Sequence, residues 1–356
     1  MGRERICILT SGGDAPGMNA AIRAATLVAL DRGWSVVGAE AGYRGLIAGE
    51  FRPLAIEDVT EIIRDGGTVL GSARCPEFMT REGRDTARRR LTEARIGGVV
   101  VIGGNGSLTG ARALGDPGEG GDAFRVIGVP ASIDNDIGYT SMAIGVDTAM
   151  NTIVECCDKI ADTAAAHDRA FIVEVMGRDC GYLAMTTSVS AGADVVLFRE
   201  SGKDAEALVN EVAEAIVQAH QRRKRRRVLV IKAEGVQIGT AELKDRVDAR
   251  LAAQGARFET RVVVLGHVVR GGRPSAADRL MATRLGHAAV RAIMAGETGR
   301  MVAWSPSGRL PASAVMSPVD PRCALIGLDE VLAETARLLD GQSPIAQWRA
   351  KVFDEM

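Results

Sequence analysis

Eight short runs of almost unbroken apolar sequence, rich in β-branched residues, recur along the chain: "RICILT", "WSVVGA", "GVVVIGG", "RVIGVP", "AFIVEV", "DVVLF", "RVLVIKA" and "RVVVLG". A strand with one solvated face alternates polar and apolar residues, whereas a continuous run is buried on both faces. That calls for a parallel sheet covered by helices, and stretches such as "GMNAAIRAATLVALDRG" and "AEALVNEVAEAIVQAHQ" supply amphipathic helices between the runs. The expected fold is α/β, with doubly wound sheets. Ligands of such sheets sit outside the carboxyl ends of the strands, so the loops that follow the runs are where chemistry is expected.

With 356 residues and a hydrophobic fraction of 46%, the chain is long enough for two domains. Lys and Arg number 44 against 45 Asp and Glu, a formal net charge of -1. No global field draws such a chain to nucleic acid or to a membrane, and an anionic ligand must be held by local clusters. No apolar run reaches the roughly 18 residues of a spanning helix, and "MGRERICILT" leads straight into a strand, so neither membrane span nor signal peptide is expected. Cys7, Cys75, Cys156, Cys157, Cys180 and Cys323 are scattered without a CxxC pair. That indicates neither a disulfide framework nor a zinc site, and a reducing cytoplasm is the expected location.

Three loops carry the strongest signals. "TSGGDAPGMNAAIR", residues 10 to 23, places Gly12 and Gly13 between a strand and a helix, where backbone N–H groups approach an anion and the helix start favours negative charge. Alone it reads equally as a tight structural turn. The second loop, "VVVIGGNGSLTGA", repeats the arrangement with Gly104, Asn105, Gly106 and Ser107, so two phosphate cradles are offered together. The third, "PASIDNDIG", brings Asp134 and Asp136 to one strand end. One carboxylate can orient or deprotonate a hydroxyl while the other holds magnesium, unless the segment is only an Asx-rich turn capping the next helix.

Other polar residues follow other runs: Arg74 in "GSAR", Arg169, Met176, Gly177 and Arg178 in "DRAFIVEVMGRDCG", Glu234 in "KAEG", and Arg261, His267 and Arg270 in "TRVVVLGHVVRGG". Arginine forks bind phosphate bidentately, so several at strand ends suggest a reaction centre with more than one phosphate. Each taken singly reads as a surface ion-pair partner, and His267 as a core-edge residue. The run "RRKRRR", 222 to 227, reads as a solvated helix end rather than a nucleic-acid site, and "GDPGEGGDAF", 115 to 124, as a surface loop.

Together, "TSGGDAPGMNAAIR", "GGTVLGSAR", "VVVIGGNGSLTGA", "PASIDNDI", "VEVMGRDCG" and "VLGHVVRGGRP" resemble the bacterial glycolytic 6-phosphofructokinases, collinearly over nearly the whole chain. The resemblance implies two doubly wound α/β domains, each a three-layer sandwich, with the active site in the cleft between them. A nucleotide- and Mg²⁺-binding domain would comprise 1–145 and 269–319, and a sugar-phosphate domain 146–268 and 320–356. The implied reaction moves the γ-phosphoryl group of ATP to the 1-hydroxyl of fructose 6-phosphate. Asp134 would be the base, Asp136 and Asn105 would serve Mg²⁺, Ser132 would keep a hydroxyl where the family has threonine, and Arg74 and Arg178 would neutralise the moving group. Gly12, Gly13, Gly104, Gly106 and Ser107 would cradle the donor. The sugar phosphate would lie against Met176, Gly177, Glu234, His267 and Arg270, completed by Arg169 and Arg261 of a neighbouring subunit in a homotetramer.

Within that family, pyrophosphate users typically carry Asp where this chain has Gly106 and Lys where it has Ala131, so both positions indicate ATP. Asn105 stands where the family usually has aspartate. Two unit charges about 4 Å apart interact by roughly 1 to 4 kcal/mol between water-like and surface-like dielectrics, so losing the carboxylate weakens the hold on magnesium. The base platform is also altered: the aromatic residue that often follows "GSAR" is Cys75 here, with Phe78 and Arg81 further on. A pyrophosphate-dependent enzyme, a kinase of a larger acceptor such as sedoheptulose 7-phosphate, and a catalytically silent sensor remain as alternatives.

Overall fold

The computed structural model describes residues 4–116, 124–221, 227–256, 259–305 and 310–355. The basic run 222–226 and the middle of the insert, 117–123, lie outside the described residues. In chain order, β1 (Arg5–Ser11), β2 (Ser35–Ala39), β3 (Phe51–Pro53), β4 (Gly98–Gly103) and β5 (Arg125–Pro130) come first. Then follow β6 (Arg169–Val175), β7 (Val195–Leu197), β8 (Arg227–Ala233) and β9 (Glu259–Val264), and finally β10 (Arg300–Trp304), β11 (Val315–Met316) and β12 (Cys323–Gly327). The expected α/β architecture is present, and each of the eight apolar runs contains or overlaps a strand.

The first compact unit comprises 1–133, 137–148 and 270–337, and its sheet has the order β11-β12-β10-β5-β4-β1-β2-β3. β2, β1, β4, β5 and β10 are parallel, while β3, β12 and β11 run against their neighbours. After β1 the chain builds outward through β2 and β3, then returns to add β4 and β5 on the other side. That reversal makes the β1/β4 boundary the switch point, where the crevice of an open α/β sheet forms. Register fixes what lies there: Ser11 pairs with Gly103 and Gly103 with Pro130, so three carboxyl ends stop level. Every residue of β4 is buried, as a run without polar residues requires.

The second unit comprises 134–136, 149–269 and 338–356, with an all-parallel sheet in the order β7-β8-β6-β9. β6 is central, and its Glu174 and Val175 lie level with Lys232 and Ala233 of β8, and Glu174 with Val264 of β9. β9 departs from the expectation of burial on both faces. It pairs only with β6 among the described strands, and Val264 is 58% exposed.

The expected return to the second domain at residue 320 is corrected. β12 pairs antiparallel with β10 along its whole length, which keeps it in the first unit's sheet. The helix Leu328–Leu339 follows it, and its Thr335 hydroxyl accepts from the Gly138 N–H at 2.8 Å. The chain therefore joins the second unit only from Leu338, so most of "LDEVLAETARLL" belongs with the first. No described helix is long and apolar enough to cross a membrane.

Candidate active site

At the switch point of the large sheet, the first loop leaves β1 through Gly12, whose φ of 83° lies in the left-handed region that glycine enters without strain. The Ser72 hydroxyl donates to the Gly12 carbonyl at 2.6 Å, and Thr10 Oγ1 donates to the Gly71 carbonyl at 2.8 Å. These two bonds pin "GSAR" against the end of β1 and present exposed Arg74 two residues later. Ser72 was not singled out by sequence reasoning, although its place next to Arg74 was the available signal.

The second loop turns from β4 into the helix Asn105–Gly115. Gly104 caps that helix without a side-chain hydrogen bond, so the first-turn N–H groups lack the usual capping oxygen. Beside them the Ser107 hydroxyl is buried and has no hydrogen-bond partner. A buried polar atom is ordinarily satisfied, and one left open next to an uncapped helix start fits an oxyanion. Tyr43 supports the turn from beneath, its hydroxyl donating to the Ser107 carbonyl at 2.7 Å. Burial pushes the Tyr43 phenol well above its ordinary range, so it stays a donor. A Cβ at Gly106 would meet nothing within 4 Å, so the space over the loop is open. Phe78, by contrast, is buried and stacked on Tyr43 with ring centroids 4.0 Å apart, and offers no free face to a nucleotide base.

The third loop extends β5. Ala131 is held by its N–H to the Gly103 carbonyl at 3.0 Å and by a bridge to Ile144. Burial then alternates: Ile133, Asn135 and Ile137 are inside, while Ser132, Asp134 and Asp136 are half-exposed. The apolar residues anchor the segment and leave Ser132, Asp134 and Asp136 partly exposed, with Asp134 Oδ1 turned inward. Asn135 takes a φ of 48°, a conformation that asparagine tolerates better than most residues.

In the second unit, the carboxyl edge of the small sheet carries Met176 and Gly177 buried, and Arg178, Glu234 and His267 exposed. The strand extensions touch backbone to backbone: a Cβ at Gly235 would lie 1.9 Å from the Arg178 carbonyl oxygen. Only glycine fits there, and Gly235 escaped sequence reasoning because its neighbour Glu234 drew the attention. The Arg178 guanidinium is raised above its ordinary value, first by its hydrogen bond to Asp179 and that residue's charge, then by Glu234 and Asp134. Asp134 and Glu234 are thus each within electrostatic reach of Arg178. With its side chain 81% exposed, Arg178 holds Asp179 only by a surface contact of 3.1 Å, which is weak enough to exchange for a phosphate.

Three further arginines make contacts of their own. Arg270 shares the turn Gly266–Arg270 with His267, but its Nη1 donates to the Asp14 carbonyl at 3.2 Å, and it would lie 2.7 Å from a Cβ at Gly13. Arg270 thus contacts the first loop. Arg169 opens β6, six residues or roughly 20 Å before its carboxyl end. It and Arg261 both pair with Glu259, Arg169 at 2.7 Å. Neither belongs to the carboxyl edge of its own sheet.

Among the described residues no group of three or more His, Cys, Asp or Glu side chains is gathered to hold a metal. The oxygen donors that the sequence singled out, the Asp136 carboxylate and the Asn105 amide, suit a hard ion such as Mg²⁺ that keeps several waters and shares phosphate oxygens.

The phosphofructokinase family model matches residues 5–293. The ATP-dependent 6-phosphofructokinase of Thermotoga neapolitana is 42% identical over 338 residues, covering 94% of this chain and 99% of that protein. ATP-dependent 6-phosphofructokinase 1 of Thermus thermophilus is 45% identical over 336 residues, 93% of this chain and 99% of that one. Among solved structures, phosphofructokinase from Saccharomyces cerevisiae matches with a TM-score of 0.83 at 33% identity, over 99% of this chain. The chain spans 48% of that yeast chain.

Proposed function

The chain belongs to the phosphofructokinase family, and from that premise we propose that it is an ATP-dependent 6-phosphofructokinase, which phosphorylates the 1-hydroxyl of fructose 6-phosphate in glycolysis. The observation that carries the choice of donor is the open space at Gly106 beside an uncapped helix start and the buried Ser107 hydroxyl. A nucleotide's phosphates have both room and donors there.

The roles follow from the chemistry of each group. Gly12, Gly13, Gly104, Asn105, Gly106 and Ser107 hold the triphosphate through backbone and hydroxyl donors. Arg74 and Arg178 spread the charge of the moving phosphoryl group. Asp134 accepts the proton of the sugar 1-hydroxyl, with Ser132 next to it as a hydrogen-bonding partner for substrate. Asp136 and the Asn105 amide serve Mg²⁺, which when bound neutralises phosphate charge. Met176, Gly177, Glu234 and His267 receive the sugar phosphate, and Arg270 joins them by exchanging the Asp14 carbonyl for a phosphate oxygen. Arg169 and Arg261, remote from their own sheet's carboxyl edge, act on a neighbouring subunit's sugar phosphate in a homotetramer in the cytoplasm. A monomer with full activity in sedimentation and kinetic measurements would remove that last assignment.

The test is a turnover assay with Mg²⁺ or with EDTA, ATP or pyrophosphate as donor, and fructose 6-phosphate or sedoheptulose 7-phosphate as acceptor. Turnover with ATP, Mg²⁺ and fructose 6-phosphate is expected. Pyrophosphate-only turnover would overturn the donor, a higher kcat/KM for the heptulose would overturn the acceptor, and no turnover with any pair would leave a binding protein.

Gly106→Asp separates donor choice from folding. The new side chain enters open space, so the melting temperature is expected to stay within about 2 °C of the parent's. A carboxylate about 4 Å from a phosphate opposes it by roughly 1 kcal/mol or more, so kcat/KM for ATP falls about fivefold or further. Unchanged ATP kinetics would show that Gly106 does not face the donor.

A further inference from the structure

Lys232 is 1% exposed, a charged side chain near the end of β8, after four buried apolar residues from Val228 to Ile231. Its Nζ donates to Glu174 Oε2 at 3.1 Å and to the Ala233 carbonyl at 3.3 Å. The same Glu174 oxygen accepts from the hydroxyl of Thr240, the first residue of the helix Thr240–Ala253. One carboxylate thus ties together β6, β8 and a helix start.

This knot lies immediately beneath the carboxyl edge of the small sheet. Glu174 and Lys232 face each other in register, two residues before Met176 and Glu234 respectively. Above them the Glu234 N–H donates to the Val175 carbonyl at 2.9 Å, and Gly235 abuts the Arg178 carbonyl. Burying an ion pair is a poor way to gain stability, because apolar residues of similar volume usually serve as well or better. What the pair adds is a fixed register between two strand ends.

We propose that Lys232 and Glu174 are positioning residues for the platform of Met176, Gly177, Arg178 and Glu234, setting the spacing that a sugar phosphate reads. This rests on the reading of that platform as the sugar-phosphate site. Neither residue touches substrate; both act through the backbone that follows them.

The test uses Lys232→Met/Glu174→Leu, which keeps volume without charge, and Glu174→Gln, which keeps hydrogen bonds without charge. Displacing a binding group by a fraction of an ångström is enough to raise the KM for fructose 6-phosphate about tenfold in the double variant, while kcat and the KM for ATP change less than about threefold. Melting temperature stays near the parent's. Hydrogen exchange of the unliganded protein gives a second reading, with faster exchange at the 177–179 and 234–236 amides and unchanged exchange at 170–173 and 228–231.

A parental sugar-phosphate KM with parental exchange, or an equal decline of every kinetic constant, would overturn the proposal. Loss of the fold in both variants would do the same, making the pair a structural support. Should the parent enzyme itself fail to phosphorylate fructose 6-phosphate, the functional reading falls, and the exchange pattern alone still decides whether the pair positions the platform.

Discussion

Asp134→Asn lowers kcat for fructose 6-phosphate phosphorylation by about 10²- to 10⁴-fold, the usual contribution of a positioned general base. The KM for the sugar stays within about threefold, because the amide keeps the shape and most of the hydrogen bonding of the carboxylate and loses only its capacity to take a proton. The fold is not at risk: Asp134 is half-exposed, while buried Ile133, Asn135 and Ile137 anchor the loop around it. Removing one negative charge within reach of Arg178 also leaves that arginine's charge intact. Steady-state kinetics at saturating ATP, with a thermal melt on the same sample, make the check. A kcat within tenfold of the parent's would move the proton acceptor elsewhere.

The sheets were legible because burial on both faces leaves a mark that one sequence can carry. "GVVVIGG" and "RVLVIKA" read as strands from the sequence, and both are strands, with their loops following the carboxyl ends. The antiparallel additions were not legible. β3 has three residues and β11 two, too short to show any period, and the short apolar runs of β10 and β12 do not distinguish strand from buried helix. Missing β12 moved the expected domain return to residue 320, since only its pairing with β10 holds that segment in the first unit.

The candidate site divides in the same way. Residues set just past a strand end, such as Met176 and Glu234, follow from the motif alone. Residues placed by a side-chain path do not. Arg270 sits three positions after His267, yet its long side chain reaches the Asp14 carbonyl. Lys232 is hidden for the opposite reason: one charge in an apolar run reads as an edge of the strand, and only the coordinates show it buried against Glu174. Gly103 and Gly106 look alike in "GGNG", and only their surroundings tell which of the two is confined.

That difference gives the second large effect, from one substitution made at two positions three residues apart. A Cβ at Gly103 would lie 2.4 Å from the Ser11 carbonyl oxygen, 2.5 Å from Ser107 Oγ and 2.6 Å from Ser107 Cβ. Ser11 is the register partner of Gly103 across the switch point, so its carbonyl cannot retreat without opening the end of the β1–β4 ladder. Ser107 can retreat only by leaving the cradle. Gly103→Ala is therefore expected to lose about 1–3 kcal/mol of stability through overpacking, and to lower kcat/KM for ATP by about 100-fold as the donor loop shifts. Gly106→Ala adds the same methyl group to open space and to a helix's first turn, where alanine is favoured over glycine, so its stability equals or exceeds the parent's. Denaturant unfolding and ATP kinetics on the two variants side by side make the comparison. If Gly103→Ala matched Gly106→Ala in both, the close approach of β1, β4 and Ser107 at the switch point would not be what shapes the donor site.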